Sequence, residues 1–218
     1  MLKNLRKLVY VANKRLTRLG LTDADWGNVS GIERERGLVV VKPGDISCKD
    51  LTPDDMIVIN LKGKVVEGQG TPASDFAVHL HLYKTFSSIG GVVSAYSIWA
   101  TIFAQAGLPI PAYGTRHIEF FKGDIPCTRA LNNDDIADSF EKAVASAITD
   151  AFTDLDPMKI PSVLVKNHAP FTWGESPIQA VYQAAELEKI AKMAYHTSLL
   201  GSANKVKATT VPQALINV

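Results

Sequence analysis

The feature that most constrains this fold is a short apolar run, Gly91-Val92-Val93-Ser94-Ala95-Tyr96, that lies between two helical segments. Its length, its β-branched residues and the glycines at its start predict a buried strand rather than a helix. Before it, Ser74-Asp75 can cap a helix over residues 76–86, and after it a second apolar helix begins near Trp99. The chain is therefore expected to bury this strand among helices.

The rest of the chain repeats this alternation of helix and strand. Apolar residues at helical spacing predict three further helices, over residues 5–19, 132–152 and 177–200. β-branched runs predict strands over residues 37–42, 56–60, 64–67 and 162–166, the second and third forming a hairpin. The tail over residues 201–218 carries weak signals, which favour an extended or loose segment. This order predicts an α/β fold: a three-layer α/β/α sandwich around a mixed, mostly antiparallel sheet, as one domain over residues 1–218.

Composition narrows the possible partners and location. A formal net charge of +1 supplies no broad field for nucleic acid or acidic lipid, so we expect neither nucleic acid nor a membrane as a partner. No apolar run approaches the ~18 residues that span a bilayer, and the charged start predicts no signal peptide and no anchor. Cys48 and Cys127 lie far apart with no CxxC spacing. This cysteine usage favours a reducing, cytoplasmic location.

Motifs along most of the chain resemble the class II aldolase/adducin family, and within it the L-ribulose-5-phosphate 4-epimerases most closely. The resemblance extends from about residue 5 to residue 194. Its clearest motifs are Trp26-Gly27-Asn28-Val29-Ser30, Lys42-Pro43, Thr71-Pro72-Ala73-Ser74-Asp75, Ile125-Pro126-Cys127-Thr128-Arg129 and Val165-Lys166-Asn167-His168-Ala169-Pro170. The resemblance implies the three-layer fold expected above, a sugar-phosphate ligand, and a homotetramer with pockets at subunit interfaces.

The resemblance also implies a zinc site, and the ligands of that site are altered here. In these enzymes the strand equivalent to residues 91–96 carries His-x-His at the places held by Ser94 and Tyr96, and a later histidine, His168 here, completes the set. Catalytic zinc acts as a Lewis acid and needs three protein ligands with an open position. A serine hydroxyl and a phenol that is neutral at pH 7 are poor ligands, so only His168 is left as a residual one. We expect no cofactor, with weak zinc binding as the alternative; Tyr96 can instead fill the vacated space and His168 can be a hydrogen-bonded pocket histidine.

By resemblance, two acid/base positions are held by carboxylates. Asp75 occupies the place of a catalytic carboxylate, although a helix N-cap explains the same residue equally well. Glu119 occupies the place of an aspartate that serves the epimerases as an acid/base. Its extra methylene matters because a displacement of about 1 Å can cost ~10²-fold in rate. The epimerases also use a tyrosine from the C-terminal tail of a neighbouring subunit, and no tyrosine follows Tyr195 in this chain.

The same resemblance implies a phosphate site of which only part of the residues is retained here. Asn28, Lys42 and Ser74 match phosphate-binding positions of the family, whereas Ala73 replaces a serine. Lys42-Pro43 is followed by Gly44-Asp45 instead of the family's Ser-Gly, which places a carboxylate near the expected anion. Residual anion binding is one interpretation. The other is that Lys42 is solvated and Asn28 closes a turn.

Two functions therefore remain open. The simultaneous changes at metal, acid/base and phosphate positions favour a non-catalytic relative whose pocket binds a small ligand or another subunit. The alternative is an active sugar-phosphate epimerase or aldolase, with a pentulose phosphate as substrate and altered metal ligation. It would use His168, Tyr96 and Glu119, with His117 as a further candidate. Whether the chain is an enzyme is undecided at this point.

Overall fold

A computed structural model describes residues 2–22, 26–205 and 208–216. The helices are α1 (Lys3–Arg18), α2 (Phe76–Thr85), α3 (Ile98–Ala106), α4 (Thr115–Phe120), α5 (Asn133–Ile136), α6 (Phe140–Ala151), α7 (Pro177–Ala203) and α8 (Gln213–Ile216). A 3₁₀ turn covers Pro53–Asp55. The strands are β1 (Asn28–Glu33), β2 (Leu38–Val41), β3 (Ile57–Asn60), β4 (Val65–Glu67), β5 (Gly91–Ser94), β6 (Ser162–Leu164) and β7 (Pro170–Gly174).

The strands form one seven-stranded sheet in the order β4-β3-β2-β1-β5-β7-β6. Every pairing between these described strands is antiparallel, and the one parallel contact is an isolated bridge between Cys127 and Leu164. The predicted α/β class is confirmed, and the mostly antiparallel sheet proves antiparallel at each of its strand pairs.

Side chains along each strand alternate between the two faces of the sheet, and this alternation gives the fold its three layers. Val39 and Val41 belong to one apolar cluster with residues of α2 and α6, whereas Val40 belongs to another beside α1. Successive strand residues point to opposite faces, so both faces of the sheet are covered by helices. Helices α1 and α7 cover the face opposite to α2 and α6. This is the α/β/α sandwich that the sequence predicts.

A row of three glycines lets α7 approach the sheet closely. Gly31, Gly91 and Gly174 are direct neighbours across β1, β5 and β7. A β-carbon on Gly91 would overlap the backbone of Pro177, the first residue of α7, and one on Gly31 would lie 2.6 Å from the ring of the same proline. Glycine is required here because the helix start lies directly against the strands.

One predicted helix is wrong in extent. Residues 132–152 form α5 and α6 rather than a single helix, because Ser139 adopts an extended conformation (φ −166°, ψ 128°) and its hydroxyl accepts a hydrogen bond from the backbone N–H of Lys142. The serine therefore caps a new helix. Strands β1 and β7, and helix α4, are elements that the sequence pattern did not predict.

The described part of the tail is attached to the body of the protein. The backbone N–H of Val211 donates to the carbonyl of Ala112 at 2.9 Å, and α8 follows. Residues 206, 207, 217 and 218 of the predicted loose tail lie outside the described ranges. Among the helices described, none combines the length and apolar content that crossing a membrane requires.

Candidate functional site

The central strands place three side chains of the candidate site in one row. Asn28 on β1 is the direct neighbour of Ser94 on β5, and Ser94 is the direct neighbour of Phe171 on β7. This row is three residues away from the glycine row, so it faces the opposite side of the sheet, toward α2 and α6. All three residues line a cavity of about 390 Å³, within the range of small-molecule sites.

Two buried polar side chains with few hydrogen-bond partners line one side of this cavity. Lys42, which directly follows β2, is only 2% exposed, and its ammonium group makes one long hydrogen bond, 3.4 Å, to the carbonyl of Pro43. Asn28 is 1% exposed, and among the described residues neither its amide nitrogen nor its amide oxygen has a hydrogen-bond partner. Buried polar groups normally have partners. Lys42 is therefore not solvated, and Asn28 begins a strand rather than closing a turn.

The carboxylate of Asp75 faces the same cavity. Asp75 stands at the N-cap position of α2, but its side chain makes no capping hydrogen bond. One carboxylate oxygen accepts a hydrogen bond from the hydroxyl of Ser94, and the other is buried without a partner. The geometry thus removes the N-cap explanation for the Asp75 side chain and joins it to Ser94, which the family resemblance assigns to a zinc-ligand position.

The other two residues that the resemblance assigns to metal-ligand positions are also joined by a hydrogen bond. The hydroxyl of Tyr96 and Nδ1 of His168 lie 3.2 Å apart in a hydrogen bond. Burial raises the pKa of the Tyr96 phenol, and the nearby Asp75 carboxylate raises it further. Burial also lowers the pKa of His168, against the opposing effect of Asp75. At neutral pH the pair is therefore a neutral phenol and a neutral imidazole.

Aromatic rings surround the mouth of the cavity. Trp26 and Tyr96 meet edge to face with centroids 6.2 Å apart, and Phe140 meets His168 in the same manner at 5.4 Å. Trp26 is 64% exposed, Tyr96 44% and Phe140 43%. Three large aromatic side chains so exposed around one opening form an apolar rim that a ligand or another chain could cover.

A second carboxylate in the cavity is one that the sequence did not predict. Glu141 lies in the first turn of α6 and lines the cavity. Hydrogen bonds from its own backbone N–H, from Ser139 and from Ser74 lower its pKa, so it is ionised at neutral pH. Ser74, a predicted phosphate residue, is thus already bonded to a carboxylate. Asp45, which the sequence placed near the anion, is exposed and is not among the residues that line the cavity.

Glu119 lies away from this cavity in the single chain. It belongs to α4, its side chain is 57% exposed, and it pairs with Arg116 at 2.9 Å. Arg116 also pairs with the buried carboxylate of Glu186 on α7. The structure therefore brings together Asn28, Lys42, Ser74, Asp75, Ser94, Tyr96 and His168, and leaves Glu119 on a separate surface.

The donor set in the cavity does not fit zinc. Among the described residues, His168 is the one imidazole that lines it, and the hydroxyls of Ser94 and Tyr96 are hydrogen-bonded to Asp75 and His168. Within residues 2–22, 26–205 and 208–216, no three histidine, cysteine, aspartate or glutamate side chains form a group that could hold a metal ion. A catalytic zinc site requires three such ligands.

Comparisons with known proteins identify the family to which this fold belongs. The class II aldolase and adducin N-terminal domain family matches residues 7–195, so the chain belongs to this family. It is similar in structure to an L-fuculose 1-phosphate aldolase, with a TM-score of 0.79, 23% identity, and coverage of 98% of this chain and 93% of that one.

Two further solved structures show the same fold. The YgbL protein from Escherichia coli has a TM-score of 0.75 and 20% identity, covering 99% of this chain and 97% of YgbL. The L-fuculose-1-phosphate aldolase from Thermus thermophilus has a TM-score of 0.72 and 18% identity, covering 93% of this chain and 99% of the enzyme. At these identities the likeness concerns the fold.

Proposed function

We propose that this protein binds a small organic phosphate in the cavity and does not carry out the zinc-dependent chemistry of its family. One observation carries the proposal: the ammonium group of Lys42 is buried beside a cavity without an anionic partner among the described residues. A buried charge is costly unless it is paired. A phosphate group would supply that pair and would also reach the unsatisfied amide of Asn28.

The altered metal positions support the second half of the proposal. Ser94 and Tyr96 are weak neutral donors, and each is hydrogen-bonded to a residue that would otherwise face the metal. Names of the similar structures, two of them L-fuculose 1-phosphate aldolases, support a sugar phosphate as one form of the ligand. The closer relation to L-ribulose-5-phosphate 4-epimerases is part of this proposal.

Calorimetric titration tests the binding step directly. Protein prepared with a chelator should bind a sugar phosphate such as L-ribulose 5-phosphate, and Lys42→Met should abolish the heat signal. Lys62→Met is the matched control, because Lys62 is exposed and lies outside the cavity. Equal binding by the wild type and Lys42→Met would refute the proposal. Stoichiometric zinc in protein purified without chelator, lost in His168→Ala, would refute its metal-free part.

A second candidate is an active sugar-phosphate epimerase or aldolase. The observation that favours it is the buried oxygen of Asp75 that has no hydrogen bond and lies in the cavity with His168. Such a carboxylate could exchange a proton with a bound ligand. Turnover of L-ribulose 5-phosphate that disappears in Asp75→Asn would establish this candidate; binding without turnover would exclude this substrate.

We also propose assembly into a homotetramer, as the family resemblance implies. Large apolar side chains with more than half of their surface exposed, including Ile98, Leu199 and Leu200, support burial against other copies. Light scattering at micromolar concentration tests this, and a strictly monomeric protein would contradict it.

A further inference from the structure

A phosphate ester bound in the cavity would meet more negative than positive charge. Lys42 is the one lysine or arginine among the described residues that line it, whereas Asp75 and Glu141 contribute two carboxylates. A phosphate monoester brings roughly −1.5 to −2 further charge at pH 7. An uncompensated excess of negative charge in a partly enclosed site opposes binding.

Neither carboxylate is neutralised within the protein. Asp75 and Glu141 form no ion pair with a lysine or arginine of the described residues. Their hydrogen bonds come from hydroxyl and backbone groups, and one oxygen of Asp75 is buried without any partner. A ligand group with a positive charge would supply the counter-charge that these carboxylates lack among the described residues.

The rings at the mouth suit the same kind of group. Tyr96 and Phe140 each contact the imidazole of His168, and Trp26 contacts Tyr96, so the rings form a continuous wall beside the carboxylates. Aromatic faces attract ammonium groups, and a wall of rings with nearby carboxylates is a common way of recognising them. A plain sugar phosphate would leave this combination unused.

We infer that the preferred ligand is a phosphate monoester that also carries an ammonium group. Lys42 and the buried amide of Asn28 hold the phosphate. Asp75, Glu141 and the aromatic wall hold the ammonium group. This inference rests on the proposed function, because it assumes that Lys42 binds the phosphate.

Two matched probes separate the effect of the ligand's positive charge on affinity from the effect of its shape. Phosphocholine carries a quaternary ammonium group, and 3,3-dimethylbutyl phosphate has the same shape with carbon in place of nitrogen. With the chelator-treated full chain in calorimetry, phosphocholine should bind at least about tenfold more tightly. Glu141→Gln and Asp75→Asn should each reduce this preference severalfold, since both keep side-chain shape while removing a negative charge.

Control variants keep the test specific. Glu35→Gln removes an exposed carboxylate outside the cavity and should leave the preference unchanged. Tyr96→Leu should weaken the binding of phosphocholine more than that of 3,3-dimethylbutyl phosphate, whereas Tyr195→Leu, which alters a similarly exposed tyrosine elsewhere, should affect neither. Thermal unfolding verifies that each variant is folded.

The outcomes distinguish the two proposals. If both probes bind with equal affinity and Lys42→Met loses the binding of both, the ammonium inference is overturned and the proposed phosphate binding stands. Choline that binds as tightly as phosphocholine, or binding unaffected by Lys42→Met, overturns the proposed function itself. Failure of both probes to bind while L-ribulose 5-phosphate binds overturns the inference alone.

Discussion

Tyr96 and His168, separated by 72 positions in the sequence, meet in a hydrogen bond of 3.2 Å between the phenol oxygen and Nδ1. One nitrogen of the imidazole that the family resemblance assigns as a residual zinc ligand is thus bonded to the side chain that the same resemblance assigns to a second ligand position. Ser94, in the third position, is bonded to Asp75. The site is therefore organised around two hydrogen-bonded pairs.

Replacing both altered positions should restore a zinc site. We expect the double variant Ser94→His, Tyr96→His to bind about one zinc ion per chain, because two imidazoles would join His168 in the same cavity. Elemental analysis after dialysis measures this. Adding His168→Ala should remove the metal again. If the double variant holds no more zinc than the wild type, the cavity does not place these three positions as zinc requires. The interpretation that they descend from a zinc site then fails. Activity need not return, because supporting residues contribute a further ~10–100-fold.

Lys42→Met should stabilise the ligand-free protein while it removes phosphate binding. The buried ammonium group has no anionic partner among the described residues, so an apolar side chain of similar length should raise the free energy of unfolding by about 1 kcal/mol. Urea denaturation without phosphate measures the change. Lys62→Met, at an exposed position, should stay within about 0.5 kcal/mol of the wild type. A destabilised Lys42→Met would show that the ammonium group has a structural role.

Much of this site can be predicted from the sequence, because motifs of the family resemblance supply side chains that line the cavity. Asn28, Ser94 and Asp75 were predicted in this way, but the strand carrying Asn28 was not. Its Asn-Val-Ser-Gly sequence sets valine among residues that do not favour strands, and it becomes a strand because β2 and β5 pair with it on both sides.

Glu141 illustrates what local patterns could not supply. Its place in the cavity depends on the break at Ser139, which starts α6 at Phe140 and brings the first turn of that helix over the sheet. Continuous helical periodicity over residues 132–152 concealed this break. The packing of distant segments against each other, rather than local helix propensity, decides which carboxylates line the same cavity.

Gly91→Ala should destabilise the protein strongly. The added methyl group would overlap the backbone of Pro177, so the start of α7 would have to move away from the sheet. We expect a loss of at least about 3 kcal/mol or failure to fold. Gly114→Ala is the matched control, since its added β-carbon meets no atom within 4 Å. Similar midpoints for the two variants in thermal unfolding would contradict the close approach of α7 to the glycine row.

Stability should fall as the pH is lowered because of His79, which is fully buried on α2. Its Nδ1 lies 2.8 Å from the hydroxyl of Ser30, and burial lowers its pKa from 6.5 to about 4, with the charge of Asp75 opposing the shift. Above pH 6.5 the imidazole is neutral in both the folded and the unfolded chain, so its contribution to stability is then fully present. As the pH falls from 6.5 toward 4, the unfolded chain gains the proton first, and the linked loss is about 2 kcal/mol at pH 5.

The variant His79→Gln isolates this contribution. Glutamine can keep a hydrogen bond to Ser30 but cannot titrate, so its free energy of unfolding should fall by about 2 kcal/mol less than that of the wild type between pH 7.5 and pH 5. Urea denaturation at both pH values gives the difference, and the other histidines and the carboxylates cancel because they are present in both proteins. Parallel losses in the two proteins would mean that His79 accepts a proton as readily in the folded chain as in the unfolded one, and that its burial against Ser30 is not maintained in solution.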